Sequence, residues 1–254
     1  MAHKLVSGLS EVDFIVPPER GYEPVITPSL SWQRLPSGLW RALDDGAAYD
    51  AHDASITVYV TGAVLSAFEM FYHNKKDVAF TYIAPDGVLP FGPHIPIGAT
   101  GVSVKFSSKP NGTKIAAKAD CWKLDIDFRL QSGYTPTVPA GVPALFAHKY
   151  AQPTWDVASI VHMTDDGRSA VTRRSPEAQT CSVVCDNLDA TTAASVVNWC
   201  LYTRGASFSY APATGLYPFG PSKGNGPFTV RLIAWTIQKP NPRRWDMTFT
   251  LARE

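Results

Sequence analysis

The chain has 254 residues, of which 45% are hydrophobic and 18% charged; 23 basic residues against 22 acidic ones leave a formal charge of +1. That balance excludes the basic footprint of a nucleic-acid binder, while the low charge, seven Trp and ten Tyr fit a β-rich core with extended protein contact surfaces. The start of the sequence lacks a basic region followed by an apolar signal core, and no stretch reaches the length of a membrane helix, so the expectation is a soluble protein without a secretion signal.

Residues 1–30 are expected to form an irregular, extended N-terminal arm, because Pro17, Pro18, Pro24 and Pro28 deny regular hydrogen bonding. Packed structure is expected to begin near Trp32, Leu39 and Trp40. In SITVYV, Ile56, Val58 and Val60 share one face of a strand. The period then changes: Val64, Leu65, Phe68, Phe71 and Tyr72 recur at helical spacing, with Thr61 placed as N-cap. Phe80 and Tyr82 lead into the turn PFGP at residues 90–93. In WKLDIDFRL, Trp122, Leu124, Ile126, Phe128 and Leu130 point one way and Lys123, Asp125, Asp127 and Arg129 the other, a wet face suited to cross-strand charge pairs.

A Pro-rich connector follows at residues 132–153, stiffened by Pro136, Pro139, Pro143 and Pro153. Its apolar Val142, Leu145 and Phe146 suggest a segment clamped between or across domains. Beyond it the first pattern returns. Thr191 or Thr192 can cap a helix whose stripe is Ala193, Val196, Val197 and Cys200, and Gly205 can end it with positive φ. Phe208 and Tyr210 then share a strand face before a second PFGP at residues 218–221.

The two PFGP turns lie 218 − 90 = 128 positions apart. The same offset maps Phe80 onto Phe208, Tyr82 onto Tyr210, Gly87 onto Gly215, and Val102, Val104 and Phe106 onto Val230, Leu232 and Ala234. At the end of each half, Asp125, Phe128 and Leu130 match Asp246, Phe249 and Leu251, an offset of 249 − 128 = 121. The first half then carries 128 − 121 = 7 extra residues, placed in a longer hairpin around KPNGTKIAAK. An internal duplication is the inference. The expected fold is mainly β with α+β elements: two duplicated β-sheet or split-barrel domains at 31–131 and 154–254, each with one flanking helix.

The search for chemistry yields no catalytic, metal-binding or cofactor-binding residue. Cys181 and Cys185 look like half a metal site, but Cys200 and Cys121 lie too far away to complete paired zinc spacing, so buried free thiols are expected. His3, His52, His73, His94, His148 and His162 include no pair spaced for joint metal ligation. His52 between Asp50 and Asp53 could be a tuned acid-base group, or a residue of a wet loop before the strand. Asp44-Asp45-Gly46 and Asp165-Asp166-Gly167 read as turns rather than calcium ligands. Gly224-Asn225-Gly226 lacks the lysine of a phosphate loop, and Arg173-Arg174 and Arg243-Arg244 are too isolated for a nucleic-acid stripe.

Helix, Gly-x-x-Phe-x-Tyr, proline-glycine turn and a final Trp-rich strand together resemble the minor tail and tail-tip proteins of long-tailed bacteriophages. Residues 204–210, Arg-Gly-Ala-Ser-Phe-Ser-Tyr, and 245–251, Trp-Asp-Met-Thr-Phe-Thr-Leu, carry the likeness best; Lys76-Asp77 replaces Arg204-Gly205 in the first copy. The resemblance implies two tail-tube-like β domains and a structural, non-enzymatic virion protein of the tail tip or baseplate, assembled in the host cytoplasm. It implies a homo-oligomer, either a trimer forming a pseudo-sixfold ring or a hexamer, bound to other tail proteins, with no cofactor, membrane or sequence-specific nucleic acid. The alternatives are a carbohydrate-binding module on the virion, with Trp32, Trp155 and Trp235 as candidates, and a head–tail connector.

Overall fold

The computed structural model describes residues 3–14, 18, 24–27, 30–34, 40–44, 50–98, 100–116, 118–131, 133–136, 150–156, 159–163, 169–173, 178–203, 205–212, 214–220, 223–241 and 243–254. The protein is mainly β, with two α-helices among the described residues. The first half runs β1 (Lys4–Ser7), β2 (Ser10–Asp13), β3 (Val25–Thr27), β4 (Leu30–Arg34), β5 (Trp40–Asp44), β6 (Ala51–Val60), α1 (Gly62–Lys75), β7 (Phe80–Ile83), β8 (Val102–Phe106), β9 (Asn111–Lys114) and β10 (Trp122–Leu130). The second runs β11 (Tyr150–Asp156), β12 (Ser159–Met163), β13 (Ser169–Arg173), β14 (Ala178–Leu188), α2 (Ala190–Thr203), β15 (Ser207–Tyr210), β16 (Phe228–Asn241) and β17 (Arg244–Arg253).

The two halves repeat one topology. The first sheet is ordered β2-β1-β7-β8-β10-β6-β3, with β9 also on β10, and the second β11-β14-β17-β16-β15. Without the β1–β2 hairpin, and read from the other end, the second order is the first again. Hairpins β4–β5 and β12–β13 each stand apart as two-stranded sheets. The helices keep the offset, 190 − 62 = 128 at their first residues and 203 − 75 = 128 at their last.

Register corrects the sequence alignment of the last two strands. Phe80 pairs Val104 and Phe208 pairs Val230, so β8 maps onto β16 at 230 − 104 = 126, not 128. Trp122 pairs Val60 and Trp245 pairs Leu188, so β10 maps onto β17 at 245 − 122 = 123, not 121. Each error is a slip of two residues, which keeps every side chain on its face and leaves the alternation unchanged. The excess in the first half is therefore 128 − 123 = 5 residues, spread over several connections rather than held in one hairpin. One of those differences is visible as separate strands β8 and β9 where β16 runs through. In the opposite sense, β14 has a bulge between Cys185 and Leu188, with Asn187 at φ 63, that β6 lacks.

The expected irregular arm is in part sheet. Lys4–Ser7 and Ser10–Asp13 form a hairpin whose inner strand pairs β7, and Val25–Thr27 pairs β6. Ile26 opposite His52 corresponds to Trp155 opposite Gln179, so the repeating unit begins at β3 and β11, ahead of residues 31 and 154. Val142, Leu145 and Phe146 of the connector lie outside the described residues.

Each sheet buries one face beneath its helix. In β6 the buried positions are His52, Ala54, Ile56, Val58 and Val60; in β10 they are Leu124, Ile126 and Phe128. The wet face carries the expected charge pair: Arg129 donates two hydrogen bonds to Asp53, at 2.8 and 2.9 Å, and Thr57 donates one to Asp125 at 2.6 Å. Thr61 accepts from the Val64 amide at 3.4 Å as N-cap of α1. The α2 cap is Asp189 instead of Thr191 or Thr192: its carboxylate accepts from the Thr192 amide at 2.9 Å and the Thr192 hydroxyl at 2.7 Å. The repeated PFGP closes the end of each core. Phe91 and Phe219 are buried, and Gly92 and Gly220, at φ 103 and 92, donate to the Leu89 and Tyr217 carbonyls, each at 3.0 Å. A Cβ on Gly92 would also meet the His94 ring at 2.9 Å.

Candidate functional site

The chemistry-bearing residues that do converge lie where the two repeats meet. Val88 and Tyr134 pack against both hydrophobic cores, and Ile26 and Leu89 of the first half pack against the second. Tyr134 donates its hydroxyl hydrogen to Asn198 of α2. Burial pushes the Tyr134 hydroxyl pKa up, while that bond lowers it by less. Lys239 lies over the Trp245 ring at 5.1 Å and donates to the Gly87 carbonyl across the junction at 3.0 Å. Burial lowers the Lys239 pKa, yet the ammonium keeps a carbonyl partner and an aromatic face.

His52 is not in a wet loop. It lies on β6 in phase with Ala54 and Ile56 and is 3% exposed. Its Nδ1 is 3.0 Å from the Asp50 carbonyl, and its Nε2 is 3.0 Å from Nε2 of buried His94. Both rings approach Tyr134, with centroids at 6.0 and 4.8 Å. If Nδ1–H of His52 donates to Asp50, its Nε2 accepts the Nε2–H of His94. His94 Nδ1 is then an acceptor, and it is buried without a hydrogen-bond partner. Burial lowers the pKa of His52 despite opposing help from the Asp50 and Asp53 charges. Burial first, and then the His52 charge, lowers His94 to about 3. This pair is a neutral, closely packed joint, not an acid-base group poised near neutrality. The sequence search missed it because the partners are 42 positions apart; the phase of His52 in its strand was the available signal.

Trp32 and Trp235 line one cleft of about 210 Å³, together with Ile26, Asp50, Leu201 and Gly205. Trp32 comes from the β4–β5 hairpin and reaches the start of β15, where a Cβ on Gly205 would lie 2.9 Å from its ring. Gly205 has φ 80. Trp155 is on β11 opposite Gln179, and its side chain lies outside the described residues.

Cys181, Cys185 and Cys200 are buried free thiols and Cys121 is half-buried. Burial raises Cys181 and Cys185 to about 12 and pushes the Cys200 thiol well above its usual value, so none is poised as a nucleophile. Among the described residues no three His, Cys, Asp or Glu side chains are grouped to hold a metal. Asp45, Gly46, Asp165, Asp166, Gly167, His148 and Arg174 lie outside those residues. Gly224 and Gly226 take positive φ in a loop, and Arg243 and Arg244 are exposed at the β16–β17 turn. No described helix is long and apolar enough to cross a membrane. The chain matches no protein-family model and no curated protein sequence.

Proposed function

We propose that the protein is a structural, non-catalytic component of a bacteriophage tail, a ring or hub at the tail tip or baseplate. The observation that supports this best is the duplication: two sheets of one strand order, each with its helix at the same place, in one chain. A chain of that kind supplies two near-equivalent building positions, so three copies make a pseudo-sixfold ring, and closed symmetry uses every repeated interface. A hexamer with one repeat in the ring and the other decorating it is the second arrangement. Its neighbours are other tail proteins, and its place is the virion after assembly in the host cytoplasm. The test is mass spectrometry of purified particles followed by immunogold labelling. Signal at the tail end is expected; absence from the particle sinks the reading, and label at the neck moves it to a head–tail connector.

A carbohydrate-binding role on the virion is favoured by one observation, the cleft shared by Trp32, Trp235 and Asp50. Aromatic faces stack on sugar rings and a carboxylate accepts hydroxyl hydrogens. The cleft volume, about 210 Å³, is below the roughly 300–1,000 Å³ of most small-molecule sites, which ranks this reading second. A glycan array on which binding vanishes in Trp32→Ala and Trp235→Ala would promote it.

A further inference from the structure

Inside one chain, the first repeat covers a defined face of the second. The α2 stripe Ala194, Val197, Asn198 and Leu201 is buried or half-buried. Tyr134 bonds to Asn198, Val88 and Leu89 pack on that core, and Lys239 reaches the Gly87 carbonyl. The stripe has the i, i+3, i+4, i+7 spacing of a helix face that meets a neighbour.

The helix stripe, the turn and the lysine of this junction each have a counterpart in the other repeat, whereas Tyr134 has none among the 254 residues. The corresponding α1 stripe is Ser66, Glu69, Met70 and His73, and all four are exposed, Met70 at 66%. Gly87, Val88 and Leu89 correspond to Gly215, Leu216 and Tyr217, and Tyr217 is 46% exposed. Gly87 and Gly215 have φ 75 and 86, so both turns have the same backbone form. Lys114 corresponds to Lys239: it lies over Trp122 at 5.9 Å as Lys239 lies over Trp245 at 5.1 Å, and it is exposed on β9. The acceptor face of the first repeat and the donor turn of the second are thus both open, and each carries a large exposed apolar side chain.

We infer that residues 215–217 of one copy dock on α1 and β9 of a second copy, repeating between chains the junction made within each chain. Tyr217 packs on the Met70 stripe, and the Lys114 ammonium donates to the Gly215 carbonyl. The contact is head-to-tail: each copy keeps one unused donor and one unused acceptor, so the assembly is a ring if the rotation closes and a filament if it does not. Glu69 and His73 stand where Val197 and Leu201 are buried in α2, so the contact between chains is the more polar and more readily dissociated of the two. The inference rests on the self-association in the reading above and names its surface.

Sedimentation of the full chain over a concentration series, with Tyr217→Glu and Met70→Glu beside it, tests the surface. Association that either substitution weakens by about tenfold or more is expected, with circular dichroism and melting unchanged because both side chains are exposed. A Met70→Cys, Tyr217→Cys double variant should form disulfide-linked multimers under mild oxidation, and neither single variant should. Assembly that ignores both glutamates overturns this surface and leaves the ring reading standing. A chain that stays monomeric, and whose double-cysteine variant gives no linked species, overturns the surface and the ring together; absence from purified particles counts against the tail reading alone.

Discussion

The two repeats share a topology and differ in what seals them. The first is packed with rings: Phe80 lies 4.5 Å from Phe106 and Tyr82 5.0 Å from Phe128, centroid to centroid, and the β1–β2 hairpin covers the β7 edge. Among the described residues the second has no hairpin at the matching β15 edge, and its helix is buried round more of its surface, with Val197 and Leu201 inside where Glu69 and His73 are outside. One duplicated frame has therefore been closed in two ways. The first repeat is sealed by its own added strands and the second by the first repeat. Substitutions at matched positions should separate those two solutions.

The largest difference is expected at the matched tryptophans. Trp245 is 1% exposed and Trp122 only half-buried. Trp245→Ala should lose about 3–5 kcal/mol in urea denaturation and Trp122→Ala clearly less. Equal losses would mean that the two sites are sealed alike.

Acid should come next. Folded His94 stays neutral down to about pH 3, whereas the unfolded chain takes that proton below about pH 6.5. The unfolded state binds more protons in this window, so stability is fully present above pH 6.5 and falls as pH drops toward 3. The slope should reach about 1 kcal/mol per pH unit. His52, also depressed by burial, adds to it. The difference in stability between the wild type and His94→Gln, followed by thermal melts between pH 7 and 4, should drift in favour of the variant as pH falls. A constant difference sinks the idea.

A smaller contrast separates the matched lysines. Lys239→Met leaves the Gly87 carbonyl without its cross-junction donor, and should cost about 1–3 kcal/mol. Lys114→Met, exposed on β9, should stay within about 0.5 kcal/mol for the isolated chain. The smallest effect belongs to Arg129 and Asp53, an exposed pair whose place in the second sheet is taken by Ala252 opposite Thr180. Removing Arg129 should cost less than about 1 kcal/mol, and less again at high salt.

Local signals made the frame of each repeat legible. Helical spacing placed both helices, and the glycines of PFGP marked turns that need positive φ. Alternation located the strands but not their alignment, since a two-residue slip preserves every inward face; the matched tryptophans, Trp122 and Trp245, were the better anchor. Pro17 and Pro18 forbid regular pairing only locally, and LVSGLSEV ahead of them alternates as a hairpin that Gly8 turns at φ 60. Asp189 takes the cap from the neighbouring threonines because an aspartate carboxylate serves there as well as a hydroxyl does. The His52–His94 joint forms within the first repeat, where the loop around His94, anchored by Phe91 and Ile95 in the same core as β6, folds back across 42 positions; strand phase marks His52 as buried but does not name its partner.

Val88 and Tyr134 belong to both hydrophobic cores at once. A chain built this way should melt in a single calorimetric transition, because loosening either sheet removes part of the cover of its neighbour. Cleaving it between the repeats should release two fragments that each show a raw apolar flank, aggregate apart, and regain order when mixed. On that outcome, the unit of repetition in this chain is half the size of its unit of folding.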